Sequence, residues 1–404
     1  MRVPLASSGL RSQDISAAIE VLQSGYLTMG KKVAEFENLM ATYLDVKHFV
    51  MMNSGSSANL AIFEAMLRPS KGEPLLKAGD GVLVPAIAWP TTIWPIVQLG
   101  LVPIFVDVDR DTLALDLGKA RNTMKLSSIK VKALFPIHPL GRALDSTLLT
   151  EFAEEYSLIL INDVCESLGS FERESHAGTS GLAGSFSFYF SHHITTMEGG
   201  GVATNNDAFA DDLRSIRSHG WSRDRSDVNE WTHDVSETDA KFLFVSTGYN
   251  IRPMEIQAAI GINQIKDLDS FVDRRRTISK AVIDATQNSS LSVIGVDTQK
   301  PMYEESANSW MLIPIRVNGP DAKTRKKRIL ELLEKQDVET RPVLTGNFLA
   351  QPSMNRIDGK HPPASDFPVA SEITDSCFLV GAHHDLTEEQ ISHLCISLQE
   401  AGRV

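Results

Sequence analysis

Residues 48–67 read HFVMMNSGSSANLAIFEAML, and their texture changes twice. Residues 48–52 form an apolar run of strand length, 53–57 are small and mostly polar, and 58–67 are mainly helix formers. The unit is therefore a strand, a Gly/Ser-rich turn and a helix. The alternation continues downstream. Apolar runs at 81–85, 102–108, 131–136 and 158–161 have the length of buried strands, and helix-length segments follow Trp94 and occupy 148–156. Strands without a polar side belong to a sheet covered on both faces, which predicts an α/β protein with a mostly parallel central sheet flanked by helices. Two more β-like runs, 185–190 and 200–204, flank a Gly-rich turn, with a helix after 207 to about 218. From about 266 the pieces shorten: a basic helical run at 271–281, a strand-like 311–317, a charged helix at 323–335 and a last helix near 388–400. The expected organisation is an N-terminal arm and large domain over 1–265, then a smaller C-terminal α+β domain over 266–404. The polar segment 222–241 reads as a loop lying over something. The triplet Arg274-Arg275-Arg276, flanked by acidic residues, reads as a solvated helix face.

The chain has 404 residues, with 39 basic and 51 acidic side chains, a balance of 39 − 51 = −12. So acidic a chain gains little from displacing counterions on nucleic acid, and any phosphate it holds must be gripped locally. The best apolar stretch, 94–108, is broken by Gln98, Gly100 and Pro103, short of the ~20 residues that span a bilayer. The first residues lack the apolar core of a signal peptide. Cys165, Cys377 and Cys395 are too scattered for a disulfide framework or a metal cluster. The expectation is a cytoplasmic protein that binds neither membrane nor nucleic acid.

Four features carry chemistry. Asn53–Asn59, between strand and helix, is either a plain tight turn or an anion cradle in which small residues admit a phosphate to free N–H groups and the helix dipole. Asp163 follows the run at 158–161, at the strand end where open α/β sheets bind ligands; it either pairs with a cationic ring nitrogen or caps a helix. His192-His193 lacks a third ligand at a recognisable spacing, which argues against a metal and leaves a packed, hydrogen-bonded core pair. Trp89, at a strand end, either stacks on a flat cofactor ring or sits in the core.

In order along the chain, Pro4-Leu5-Ala6, Gly30 with Phe36-Glu37, SGSSANL (54–60), AGD (78–80), VPAIAWPTT (84–92), FVDVDRDTL (105–113), NDVCESLGS (162–170), FSFYFSHHITTMEGG (186–200), RSHGW (217–221) and GYNIRPMEIQAAIG (248–261) resemble the DegT/DnrJ/EryC1/StrS sugar aminotransferases. These are pyridoxal-phosphate enzymes of fold type I that act on nucleotide-linked keto-sugars. One departure changes the chemistry. Six residues before Glu198, where family members place the lysine that holds the cofactor covalently, this chain has His192, and no lysine occurs between Lys132 and Lys241. The swap resembles the lysine-less 3-dehydratase branch of the family. The absence of cysteine between Cys165 and Cys377 disfavours the variety with an iron–sulfur cluster. The late RPVLTGNFL (341–349) points to the cluster-free variety that acts on GDP-linked 4-keto-6-deoxymannose in colitose biosynthesis.

The resemblance implies pyridoxal or pyridoxamine phosphate held without a covalent bond, L-glutamate as amino donor, and a homodimer with shared sites. Carried over by position, Gly55, Ser56 and Ser187 hold the cofactor phosphate, with Asn250 reaching in from the neighbouring subunit. Trp89 stacks on the ring, Asp163 meets the ring nitrogen, and Glu166 stands where relatives carry a Gln near the ring hydroxyl. His192 moves the proton; His219 lies near the leaving hydroxyl. Arg223, Arg341, Thr345 and Asn347 are candidates for the sugar nucleotide or glutamate. Two other outcomes stay open: amino transfer with an untethered cofactor, and a relative that binds without turnover.

Overall fold

The computed structural model describes residues 1–296, 308–357 and 361–404. Its centre is a seven-stranded sheet in the order β1-β9-β8-β5-β4-β2-β3. The strands are β1 (His48–Met52), β2 (Gly81–Pro85), β3 (Val102–Val106), β4 (Val131–Leu134), β5 (Ile159–Asp163), β8 (Ala183–Ser187) and β9 (Gly200–Thr204). β6 (Phe171–Glu172) and β7 (Ser175–His176) form a separate short hairpin. β9 pairs antiparallel with both β1 and β8, and every other neighbouring pair is parallel.

The sequence makes such a sheet because successive side chains point to opposite faces and both faces are covered. In β1, Val50 and Met52 join the core beneath helices Gly55–Leu67 and Asp207–Ile216, while Phe49 and Met51 pack on the other side against Lys31–Leu44 and Glu255–Gln264. Further along, Leu83, Leu134 and Leu160 meet the helices Leu117–Leu126 and Ser146–Glu155. The glycines of the E-G-G element are required by close approach. A Cβ on Gly200 would stand 2.3 Å from the Gly55 nitrogen, and one on Gly201 would meet the Phe49 ring at 2.4 Å.

A second, antiparallel sheet has the order β10-β11-β13-β12, from β10 (Leu291–Val293), β11 (Leu312–Val317), β12 (Thr340–Arg341) and β13 (Cys377–Gly381). Helices Leu268–Thr286, Ala322–Lys335 and Glu388–Ala401 enclose its core. Three readings need correction. The helix expected after Trp94 begins at Pro90, because a proline fits the first helical turn, where its missing N–H costs nothing. The strand expected at 185–190 is β8, ending at Ser187, and the chain then turns through 188–193 to deliver the histidines. The Arg274–Arg276 face is not wholly solvated: Arg275 is 1% exposed. The segment 222–241 contains two short helices, Val228–Thr232 and Glu237–Ala240. Among the described residues, no helix is long and apolar enough to cross a membrane.

Candidate active site

The carboxyl ends of β5 and β8 and the amino end of helix Gly55–Leu67 meet around a cavity of about 280 Å³. Ser54 caps that helix, its hydroxyl accepting the Ser57 N–H at 3.1 Å. Gly55 then lies so close to β8 and the β5 turn that a Cβ would fall 2.6 Å from the Ser187 Cβ and 2.8 Å from the Cys165 Sγ. Ser56 donates its hydroxyl hydrogen to the Thr91 Oγ1 at 3.0 Å. Gly55, Ser56 and Ser187 all line the cavity, so a helix N-terminus and two hydroxyls face one space.

Asp163 ends β5 at the cavity floor, 4% exposed. Its Oδ2 accepts from Thr92 Oγ1 (2.7 Å) and Asn59 Nδ2 (3.0 Å), and its Oδ1 accepts from Cys165 N (3.1 Å). No helix begins there, so the capping alternative falls away, and three donors hold a carboxylate aimed at whatever fills the cavity. Trp89 is half exposed on the wall, which removes its core alternative. Glu166 accepts from the Leu140 N–H at 3.0 Å and lies 3.9 Å from the Arg341 guanidinium. Burial raises its carboxyl above the ordinary range, with Arg341 opposing the rise.

His192 enters from the turn after β8, with Nδ1 3.3 Å from the Ser187 carbonyl oxygen. A carbonyl only accepts, so this contact assigns the hydrogen to Nδ1, and the ring also lies against the Cys165 backbone. Burial pushes the imidazole down to about 4, and the positive charges of Arg341 and Arg275 add to the effect. At neutral pH it is therefore a free base. His193 is fully buried, lies in a crevice behind the cavity, and neither ring nitrogen has a hydrogen-bond partner among the described residues. No three His, Cys, Asp or Glu side chains among the described residues converge to hold a metal.

Five sequence candidates lie outside the cavity. Thr345 donates to the Ala88 carbonyl at 2.8 Å and Phe348 N–H to Ala86 at 2.8 Å, so this segment braces the strand end that carries Trp89. Asn347 is buried, with its amide donating to the Ala364 carbonyl and Ser371 Oγ and its Oδ1 accepting from Leu349 N–H. Substrate contact by Asn347 is therefore replaced by a structural role. His219, Arg223 and Asn250 are exposed and lie together: the His219 N–H donates to Tyr249, Ser218 bridges Asn250, and Arg223 lies 4.0 Å above the Trp221 ring. Sequence reasoning missed Asn59 and Thr92. Their signal was present, polar residues near the start of helices that begin at the cavity, but only the fold aims both at Asp163.

A mostly parallel sheet with one antiparallel strand, a helix N-terminus facing the cavity and an aspartate at a strand end together define the aminotransferase fold. The family model described as the DegT/DnrJ/EryC1/StrS aminotransferase family matches residues 9–399, and the chain belongs to that family. It is 36% identical over 402 residues to a GDP-4-keto-6-deoxy-D-mannose 3-dehydratase of Yersinia pseudotuberculosis, covering 97% of this chain and 96% of the relative. A GDP-4-keto-6-deoxymannose-3-dehydratase mutant with bound GDP-perosamine superposes with a TM-score of 0.89 at 32% identity, over 98% of this chain and all of the other. A second structure of such an enzyme, with a trapped PLP-glutamate geminal diamine, gives a TM-score of 0.88 at 32% identity over the same shares.

Proposed function

We propose that this chain removes the C3 hydroxyl of a nucleotide-linked 4-keto-6-deoxyhexose, GDP-4-keto-6-deoxy-D-mannose, with L-glutamate as reductant. The products are the 3-deoxy-4-keto sugar, 2-oxoglutarate and ammonia. The observation that carries this reading is His192 at the cavity wall, its Nδ1 on the Ser187 carbonyl oxygen, in a cavity that no lysine lines among the described residues.

The residues present fit pyridoxal phosphate held without a covalent bond. Gly55 leaves no room for a side chain in the anion cradle, Asp163 offers a carboxylate at the floor, and no lysine lines the cavity among the described residues. When bound, the cofactor supplies an amine that condenses with the C4 ketone and a ring that accepts electrons. Gly55, Ser56 and Ser187 hold its phosphate, and Trp89 covers one face of its ring. Asp163, held by Asn59, Thr92 and the Cys165 N–H, keeps the ring nitrogen protonated. Glu166 stands toward the ring hydroxyl, its carboxyl raised by burial against the opposing charge of Arg341. His192 Nε2 takes up one proton and returns it to the departing C3 hydroxyl, as a base and then an acid. Both half-reactions use one cavity, so Arg341 meets the glutamate carboxylate and the sugar nucleotide in turn.

The reading includes a homodimer in which His219, Arg223 and Asn250 complete the partner's cavity. Their exposure supports it, as do the exposed Phe242 and Phe244 stacked on Trp221 beside them. It also divides the chain into 1–265 and 266–404. Helix Leu268–Thr286 then begins in the large core, with Leu268 and Phe271, and ends in the small one, with Ile278 and Val282. A nucleotide-linked substrate fits residence in the cytoplasm.

The test offers GDP-, CDP- and dTDP-linked 4-keto-6-deoxysugars in competition, with L-glutamate. The expected product is GDP-linked and lighter by one oxygen atom, with one ammonia and one 2-oxoglutarate per turnover. A product that keeps the nitrogen assigns amino transfer instead, and no product at all assigns a binding protein.

A further inference from the structure

Arg275 belongs to none of the roles assigned above. It lies on helix Leu268–Thr286 and is the largest fully buried side chain among the described residues. Among the described residues, no carboxylate stands within ion-pair distance of it. Its guanidinium instead donates to three backbone carbonyls: His192 at 3.1 Å, Trp310 at 3.3 Å and Met311 at 3.0 Å. Burying a cation with only neutral acceptors is costly, and an apolar side chain of similar volume would fill the space more cheaply. Burial draws the guanidinium down to about 10, which still leaves it charged at neutral pH.

Its acceptors explain what that cost secures. His192 and Met311 stand on the cavity wall, one from the turn after β8 and the other from the entry to β11. We infer that Arg275 is a positioning residue that clamps His192 to the small lobe by its backbone and keeps a fixed positive charge behind its ring. The planar fork reaches both carbonyl groups at once, which a lysine cannot do. The inference rests on His192 being the proton carrier of the proposed reaction. From the cavity His192 is accompanied by Asp163, Cys165, Glu166, Tyr189, Glu198 and Arg341, and from the crevice behind by His193, Arg275, His383 and His384. Of these, Arg275 combines a charge with a direct bond to the His192 backbone.

The experiment follows the His192 ring by carbon NMR in protein labelled with [13Cε1]histidine, its signal assigned from its loss in H192N. Arg275→Met removes the fork and the charge. The His192 titration should move up by about one unit, roughly tenfold in proton affinity. Turnover should fall about 100-fold with both KM values within about twofold, because the base is displaced rather than the substrates. Arg276→Met, on the same helix, should leave the His192 signal in place. Arg275→Lys keeps the charge and loses the fork, so turnover should fall about 10-fold while the titration stays near that of the parent. A folded R275M protein whose His192 titrates like the parent overturns the inference. If R275M does not fold, parental turnover in R275K does the same. The titration is read without substrate, so it still judges Arg275 if the parent proves not to be a dehydratase.

Discussion

In the proposed reaction His192 decides the chemistry, because an imidazole accepts protons but does not anchor an aldehyde. Its Nδ1 faces the Ser187 carbonyl. His192→Asn retains a polar side chain of similar size but has no base. Cofactor should remain bound, by absorbance after gel filtration, while dehydration falls by about 10²–10⁴-fold. Full activity in that variant would remove His192 from the mechanism. His192→Lys should make the cofactor reducible by borohydride onto the chain and suppress dehydration; a digest with no labelled peptide from this turn would contradict that. This residue could be read in the sequence, since its spacing to Glu198 and the missing lysines are visible there. The roles of Thr345 and Asn347 could not. Arg341, Thr345 and Asn347 look alike as polar residues in RPVLTGNFL, yet only Arg341 reaches the cavity, while Asn347 is spent on the Ala364 carbonyl, the Ser371 hydroxyl and the Leu349 N–H.

At the scale of elements, the site depends on how closely helix Gly55–Leu67 seats against β8 and β9. Gly55→Ala places a methyl group against Ser187 and Cys165 in the anion cradle. Cofactor affinity should drop at least tenfold, measured by equilibrium dialysis, with a smaller loss of thermal stability of about 1–3 kcal/mol. Unchanged affinity would mean that the phosphate sits elsewhere. The strands were legible because their both-sided apolar runs have a single physical meaning. β1, β2 and β9 match the expected limits, whereas β8 starts and ends earlier than expected. Phe188, Tyr189 and Phe190 continue its apolar texture, but only Phe188 is buried; the other two are 40% exposed on the turn. Helices Ser12–Ser24 and Lys31–Leu44 went unread, and their apolar faces gain meaning only from the partners they cover.

For the whole molecule, two outcomes follow. If Asn250 serves the partner's site, H192N and an Asn250→Ala variant should each be inactive as dimers. Mixed after reversible dissociation, they should recover about a quarter of parental activity, since half the dimers are mixed and each of those has one intact site. No recovery in verified heterodimers would place Asn250 at its own subunit's site. The second outcome concerns acid. His138, His176 and His192 are each pushed down to about 4 by burial, below the ~6.5 of an unfolded imidazole. His138 Nδ1 accepts the Leu144 N–H, so protonating it breaks that bond. A lowered folded value means that the unfolded chain binds protons first. Stability is complete above about pH 6.5 and declines as pH falls toward 4. Urea midpoints should decrease between pH 7.5 and 5; a flat series would contradict neutral buried imidazoles.

The chain order by itself determined the layered α/β architecture, the strand, Gly/Ser-rich turn and helix of 48–67, and a histidine six residues before Glu198 in a stretch without lysine, because each is written in local spacing. The tertiary structure decided which polar residues share one space. Asn59 and Thr92 meet on Asp163, and Arg275 sits buried behind His192 although its neighbours in sequence look solvated. Those contacts join residues from separate elements. Their distances are set by how helices pack on a twisted sheet, a property that no local stretch of sequence carries.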